Sequence, residues 1–217
     1  MTYCISDMHG DWDRWNNMLE LIRFSGEDTL YVLGDAIARG PRGVEILQDI
    51  MARPNVHMIL GNHEQMMLDS FLSYNYYEAR RLWKYNGGSK TYQALVYKLP
   101  KEESLGILRF VKKLPEYLEI EVNGRKFHLV HGYIGENRHD RIWGRPEPLP
   151  TEAPLPGWTV IVGHTPTCFL RPDVEDESFQ IFHGPGLIDL DCGCGHGDSR
   201  SRLACLRLDD MQEFYVS

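Results

Sequence analysis

Residues 29–40 read TLYVLGDAIARG, and the fold turns on how that stretch is parsed. Thr29 to Leu33 make an apolar, strand-forming run that stops at Gly34, with Asp35 directly behind it. A carboxylate then stands at the C-terminal mouth of a buried strand, where open α/β sheets collect their ligands. Arg39 and Gly40 follow in the same loop, a planar cation beside a flexible backbone position. A carboxylate and a guanidinium this close suit a charged ligand between them, such as a metal ion bearing a phosphate. Gly-Asp after a strand is also common turn chemistry, so the weight of the stretch comes from its repetition.

Upstream, residues 2–6 (TYCIS) form a second apolar run that ends in Asp7, His9 and Gly10. The spacing of Trp12, Trp15, Leu19 and Ile22 predicts a helix over residues 11–24, with Asp11 and Asp13 as helix-start residues. Downstream, residues 56–60 (VHMIL) run into Gly61-Asn62-His63-Glu64. Three successive β-α units therefore each end their strand in a group that can bind metal or move a proton. Residues 64–114 read as helical, interrupted at Asn86-Gly87-Gly88 and at Pro100, and crowded with aromatic side chains around residues 74–92. Residues 117–130 alternate on two arms about Asn123-Gly124, the signal for a tight hairpin. Its second arm ends at His131-Gly132, and a later run over residues 159–162 ends at Gly163-His164. The prolines of residues 146–156 predict an extended loop, and residues 171–186 an acidic, Gly/Pro-punctuated excursion. Strands are expected over residues 187–190, 203–208 and 213–216. No repeat and no second domain is evident, so residues 1–217 read as one domain.

Taken together, Asp7, His9, Asp35, Asn62, His63, His131 and His164 mix oxygen and imidazole donors without a thiolate. That set suits Mn, Fe or Zn better than Mg or Ca. It exceeds the needs of one tetrahedral ion, so two divalent ions about 3.5–4 Å apart are the natural reading. His57 and His128 lie inside strand runs, and His139, His183 and His196 in polar loops, so none of these five is assigned a role.

The ordered motifs Asp7-x-His9, Gly34-Asp35…Arg39-Gly40, Gly61-Asn62-His63-Glu64, His131-Gly132 and Gly163-His164 resemble those of the calcineurin-like metallophosphoesterases, phosphoprotein-phosphatase branch. The tail LIDLDCGC at residues 187–194 is similar to bacterial members. The resemblance implies an α/β fold, a four-layer α-β-β-α sandwich. It implies that Asp7, His9, Asp35, Asn62, His131 and His164 ligate metal, with Asp35 bridging both ions. His63 would protonate the leaving oxygen, and Arg39 would bind phosphate. A second phosphate arginine is matched best by Arg145 in Trp143-Gly144-Arg145, with Arg141 the fallback. Trp83…Asn86-Gly87-Gly88…Thr91 resembles a substrate-side segment.

One position departs from the family's G-D-x-x-D-R-G. Ala38 stands where an aspartate would hold the His63 imidazole. Losing such a supporting partner typically costs about 10–100-fold, so metal binding is expected to survive while turnover suffers.

The resemblance implies a dimetal phosphatase of bacterial serine/threonine or dual-specificity type, acting on a phosphoprotein or on a small phosphorylated or nucleotide substrate. The rivals are a dinucleoside polyphosphate hydrolase and a catalytically impaired phospholigand-binding module. Composition narrows the field further. Net charge is −8, from 23 basic and 31 acidic residues, which argues against broad nucleic-acid binding and against a nuclease. No membrane segment and no leader peptide is read, and five cysteines without a paired framework fit a reducing, cytoplasmic setting.

Overall fold

A computed structural model of the chain describes residues 1–171 and 179–217. The first three apolar runs form β1 (Thr2–Ile5), β2 (Thr29–Val32) and β3 (Val56–Met58), which pair in parallel. Between and after them come α1 (Trp12–Leu21), α2 (Gly43–Ala52) and α3 (Asn62–Leu72). Asp11 caps α1, its carboxylate accepting the Arg14 N–H at 3.0 Å, as the sequence predicts. Trp15 is fully buried under α1 and donates Nε1–H to Asp49 on α2 at 2.8 Å.

The helical stretch comprises α4 (Tyr76–Trp83), α5 (Ser89–Gln93) and α6 (Lys101–Lys112). The expected break falls at Asn86 and Gly87, where Gly87 has φ +90°, and a second at Leu99-Pro100. The hairpin is β4 (Tyr117–Val122) and β5 (Arg125–Val130), with Val122 opposite Arg125. Asn123 and Gly124 both have positive φ, as a type I′ turn requires. A short α7 (Arg138–Trp143) precedes the proline-rich loop.

The remaining strands are β6 (Thr159–Val162), β7 (Phe182–Gly184), β8 (Leu187–Asp189), β9 (Leu203–Arg207) and β10 (Gln212–Val216). The reading of residues 171–186 as a plain excursion is corrected by β7, which pairs antiparallel with β8 from Phe182↔Asp189 to Gly184↔Leu187. Three residues ending in glycine carry too little pattern to announce a strand. The acidic run at residues 173–177 lies outside the described residues.

Two mixed five-stranded sheets result, β10-β9-β1-β2-β3 and β4-β5-β6-β8-β7. Strand alternation sorts their side chains into layers. Cys4, Leu33, Ile59, Ala204 and Leu206 face Phe127, Leu129, Ile161 and Ile188 in the seam between sheets. Tyr3, Ile5, Leu203 and Cys205 point the other way, into the core formed with α1, α2, α3 and α6. Val130, Val160, Val162 and Leu187 form the outer face of the second sheet, covered by Tyr133, Ile134, Leu155 and Leu170. The sandwich is therefore thick with helix on one side and thin on the other. β1, β2 and β3 share one direction, as do β5, β6 and β8, and their C-terminal ends meet along one rim.

Candidate metal centre

At that rim the backbone is held in an unusual conformation. Asp7, His9, Asp35, Ala38, Arg39 and His164 all have φ between +49° and +70°. Non-glycine residues rarely occupy this region and do so where surrounding structure imposes it. The imposing contacts are specific. His164 N–H donates to Asp7 Oδ2 at 3.0 Å, and His63 N–H to Asp35 Oδ1 at 3.0 Å. Glu64 accepts the N–H groups of Asp35, Ala36 and Ile37 at 2.8, 3.0 and 3.3 Å, fixing the loop after β2. Gly34 and Gly61 cross so closely that a Cβ on Gly34 would lie 2.6 Å from the Gly61 Cα.

All the sequence-predicted ligands converge, although they come from both sheets. His9 Nε2 lies 3.6 Å from Asp7 Oδ1 and 3.8 Å from Asp35 Oδ2, and His63 Nε2 also lies 3.8 Å from Asp35 Oδ2. On the other side, His131 Nε2 is 3.4 Å from Asp35 Oδ1 and 2.9 Å from Asn62 Oδ1, and His164 Nδ1 is 3.1 Å from that amide oxygen. Two donor clusters follow, His9–Asp35–His63 and Asp35–His131–His164, which share Asp35.

The chemistry of these donors fits a cation. His131 Nδ1–H donates to Leu33 O at 2.6 Å and His9 Nδ1–H to Ile37 O at 3.3 Å, which leaves each Nε2 with a lone pair facing the centre. The Nε2 lone pair of His131 then meets another acceptor, Asn62 Oδ1, unless a cation lies between them or the amide is reversed. Asp7 Oδ1 and His164 Nε2 are buried without a hydrogen-bond partner, a costly state for polar atoms.

Electrostatics agree. Burial, reinforced by the Arg39 charge, lowers the His9 pKa well below the usual range. Burial lowers His63 to about 3, with help from Arg39, and His164 to about 2, with help from His131 and Arg145. The imidazoles are thus neutral and available as ligands. Burial and the neighbouring Asp7 push Asp35 up, and burial raises Glu64 to about 8. Asp7, Asp35, Glu64, Asp189 and Asp191 are all buried here. This excess of carboxylates over local cations is the deficit that divalent ions would fill.

The model of the calcineurin-like phosphoesterase family matches residues 2–196. The chain belongs to that family. Among curated relatives, it is 40% identical over 72 residues to the symmetrical bis(5'-nucleosyl)-tetraphosphatase of Cronobacter sakazakii, covering 32% of this chain and 25% of that protein. It is 28% identical over 139 residues to serine/threonine-protein phosphatase 2 of Salmonella typhimurium, covering 64% of this chain and 61% of the relative. The match thus spans less than two thirds of each relative's length. In fold, a metallophosphoesterase from Sphaerobacter thermophilus superposes with a TM-score of 0.60 at 20% identity, over 100% of this chain and 88% of that one.

In this calcineurin-like phosphoesterase the phosphate-side candidates fare differently. Arg39 is half-buried, with Nη1 buried and unpartnered, and its N–H donates to Gly87 O at 2.9 Å. The Asn86-Gly87-Gly88 break therefore abuts the site, although Asn86 itself donates back to Leu82 O at 3.0 Å. Arg145 is exposed, with Nη1 3.4 Å from Thr165 Oγ1 beside His164. Arg141 is not brought to the centre in this way. Its guanidinium is taken up by Glu116 at 2.6 and 2.7 Å and by the carbonyls of Gly135 and Glu136 at 2.9 Å. Ala38 is buried, its N–H donating to Thr91 Oγ1 at 3.2 Å, while His63 Nδ1 is buried with no partner.

Four residues beside the centre are given no role by the sequence alone. Glu64 was quoted only as part of its motif. Asp189 and Asp191 each accept an N–H two residues ahead, at 2.9 Å, and each keeps one buried unpartnered oxygen. The D-x-D that closes an apolar run was the available signal. His196 comes from a polar loop, yet its ring meets His9 edge-on with centroids 6.2 Å apart.

Proposed function

We propose that this chain is a dimetal phosphomonoesterase of the bacterial serine/threonine protein phosphatase type, acting on a phosphoprotein and weakened by Ala38. The observation that carries the reading is the pair of donor clusters hinged on Asp35, with the unpaired Arg39 guanidinium beside them. His9 and Asp35 with Asp7 would hold one ion, and Asp35, Asn62, His131 and His164 the other. Two such cations, manganese best by donor chemistry with iron or zinc as alternatives, would supply Lewis acidity and a water acidified for attack on phosphorus.

The side chains do the rest. Arg39 and Arg145 hold phosphoryl oxygens as cations beside the centre. Burial closes the sides of the cradle and keeps bulk water from competing for the phosphate. His63 is placed to give a proton to the leaving oxygen. Burial and the Arg39 charge keep its imidazole neutral, and its Nδ1 has no acceptor, so this acid is weak; we attribute the missing acceptor to Ala38. A reducing, cytoplasmic setting is supported by five free cysteines, four of them buried. No helix among the described residues is long and apolar enough to cross a membrane.

A dinucleoside polyphosphate hydrolase is the second reading, supported by the local 40% identity to the Cronobacter tetraphosphatase. The longer match to the Salmonella phosphatase favours the first. Hydrolysis of a phosphopeptide and of a dinucleoside tetraphosphate by the manganese-loaded protein separates them. Preference for the dinucleotide overturns the first reading. Tight phosphate binding without turnover of either leaves the impaired binding module.

A further inference from the structure

Beyond Arg145 the surface opens into a cleft of about 540 Å³ that no part of the metal cradle uses. Arg145 and Thr165, the residue next to His164, both line it. Pro146, Glu147, Pro148, Phe169 and Leu170 complete the lining. The volume lies in the range of small-molecule sites, which are mainly apolar with a few polar groups.

The walls are tied down. Leu149 N–H donates to Leu170 O at 3.2 Å, which ties the two lining segments together, and Phe169 N–H donates to Pro166 O at 2.8 Å. Thr167 N–H donates to Asp191 O at 2.9 Å, which joins this turn to a buried carboxylate residue. Phe169 is nevertheless 60% exposed, although Leu170 beside it is fully buried. Among the described residues, this aromatic ring stays mostly in water, on a braced turn five residues after His164.

We infer that this cleft is a leaving-group subsite for an aromatic ring, stacked on Phe169, in substrates whose phosphoryl group sits at Arg145. The inference rests on the phosphatase reading and names the substrate feature that reading leaves open. Charge placement selects the occupant. Arg145 attracts the phosphate, whereas Glu147 in the same lining repels a second anionic group, so the cleft favours an uncharged ring over a polyphosphate chain.

The test uses the manganese-loaded full chain with 2-naphthyl phosphate and glycerol 2-phosphate, which share the phosphate but differ in the ring. Phe169→Ala is expected to raise KM for the naphthyl ester by about threefold to tenfold, with kcat and the KM for glycerol 2-phosphate unchanged. Phe169→Trp is expected to restore the naphthyl KM. Equal shifts for both esters, or none for either, overturn the subsite. Naphthyl fluorescence reads binding directly. If the wild type hydrolyses neither ester the phosphatase reading fails, and the subsite still stands or falls on whether Phe169→Ala weakens naphthyl phosphate binding.

Discussion

Glu64 Oε2 accepts the backbone N–H of Asp35 at 2.8 Å, so the carboxylate shared by both donor clusters is positioned by a side chain from the first turn of the next-but-one helix. Glu64 takes the Ala36 and Ile37 N–H groups as well, and it is completely buried. Glu64→Ala strands three buried donors at once. Its unfolding free energy is expected to fall by at least about 3 kcal/mol, with metal affinity falling alongside. Denaturant unfolding together with metal titration checks this, and a loss below about 1 kcal/mol removes the positioning role.

Ala38→Asp should restore what His63 lacks. An aspartate also tolerates the φ of +70° at this position better than alanine does. Turnover of a phosphomonoester is expected to rise about 10–100-fold, with the metal content unchanged. An unaltered rate would show that the orphaned His63 Nδ1 is not what limits the enzyme.

Asp35→Asn is expected to abolish loading of both ions, because each cluster depends on Asp35. The wild type should bind about two ions per chain. At 100 times the dissociation constant each should add about 2.7 kcal/mol of stability, which chelator treatment reverses. Elemental analysis and thermal unfolding report both effects, and a variant that keeps its full metal complement contradicts a shared ligand.

The His63 environment has a pH signature in the chelated protein. The folded imidazole is lowered to about 3, against an ordinary value of 6.5. Between those limits the unfolded chain binds a proton that the folded chain refuses, so stability rises with pH there. The contribution is complete above pH 6.5 and is lost progressively as pH falls toward 3. Subtracting the His63→Gln stability from the wild-type value at each pH cancels the other buried groups. The difference should climb by at most about 1.4 kcal/mol per pH unit in that window and level off above it. A difference curve that is flat from pH 3 to 6.5 contradicts the burial of this side chain.

Much of the centre was legible because each ligand ends a strand. An apolar run that ends in Ser6-Asp7, Gly34-Asp35, Gly61-Asn62, His131-Gly132 or Gly163-His164 is a local pattern, and parallel pairing brings local patterns to one rim. The Asn123-Gly124 hairpin was legible for the same reason, since the turn chemistry is contained in two residues. What escaped depends on contacts remote in sequence. Glu64 works through the backbone of residues nearly thirty positions earlier, and His196 reaches His9 only because the chain returns beside β1. Arg141 and Arg145 sit four residues apart with similar motif context. Glu116 and the Gly135 and Glu136 carbonyls, which take the Arg141 guanidinium, separate them.

Because Asp7 and Asp35 leave one sheet while His131 and His164 leave the other, the cradle straddles the seam of the sandwich. Neither sheet alone carries a complete coordination set. A sliding of one layer against its neighbour by a single residue would dismantle the centre while leaving each layer's own hydrogen bonds intact. The centre is therefore a gauge of inter-sheet alignment, and ion affinity should register small shear in this scaffold before spectroscopic measures of secondary structure change.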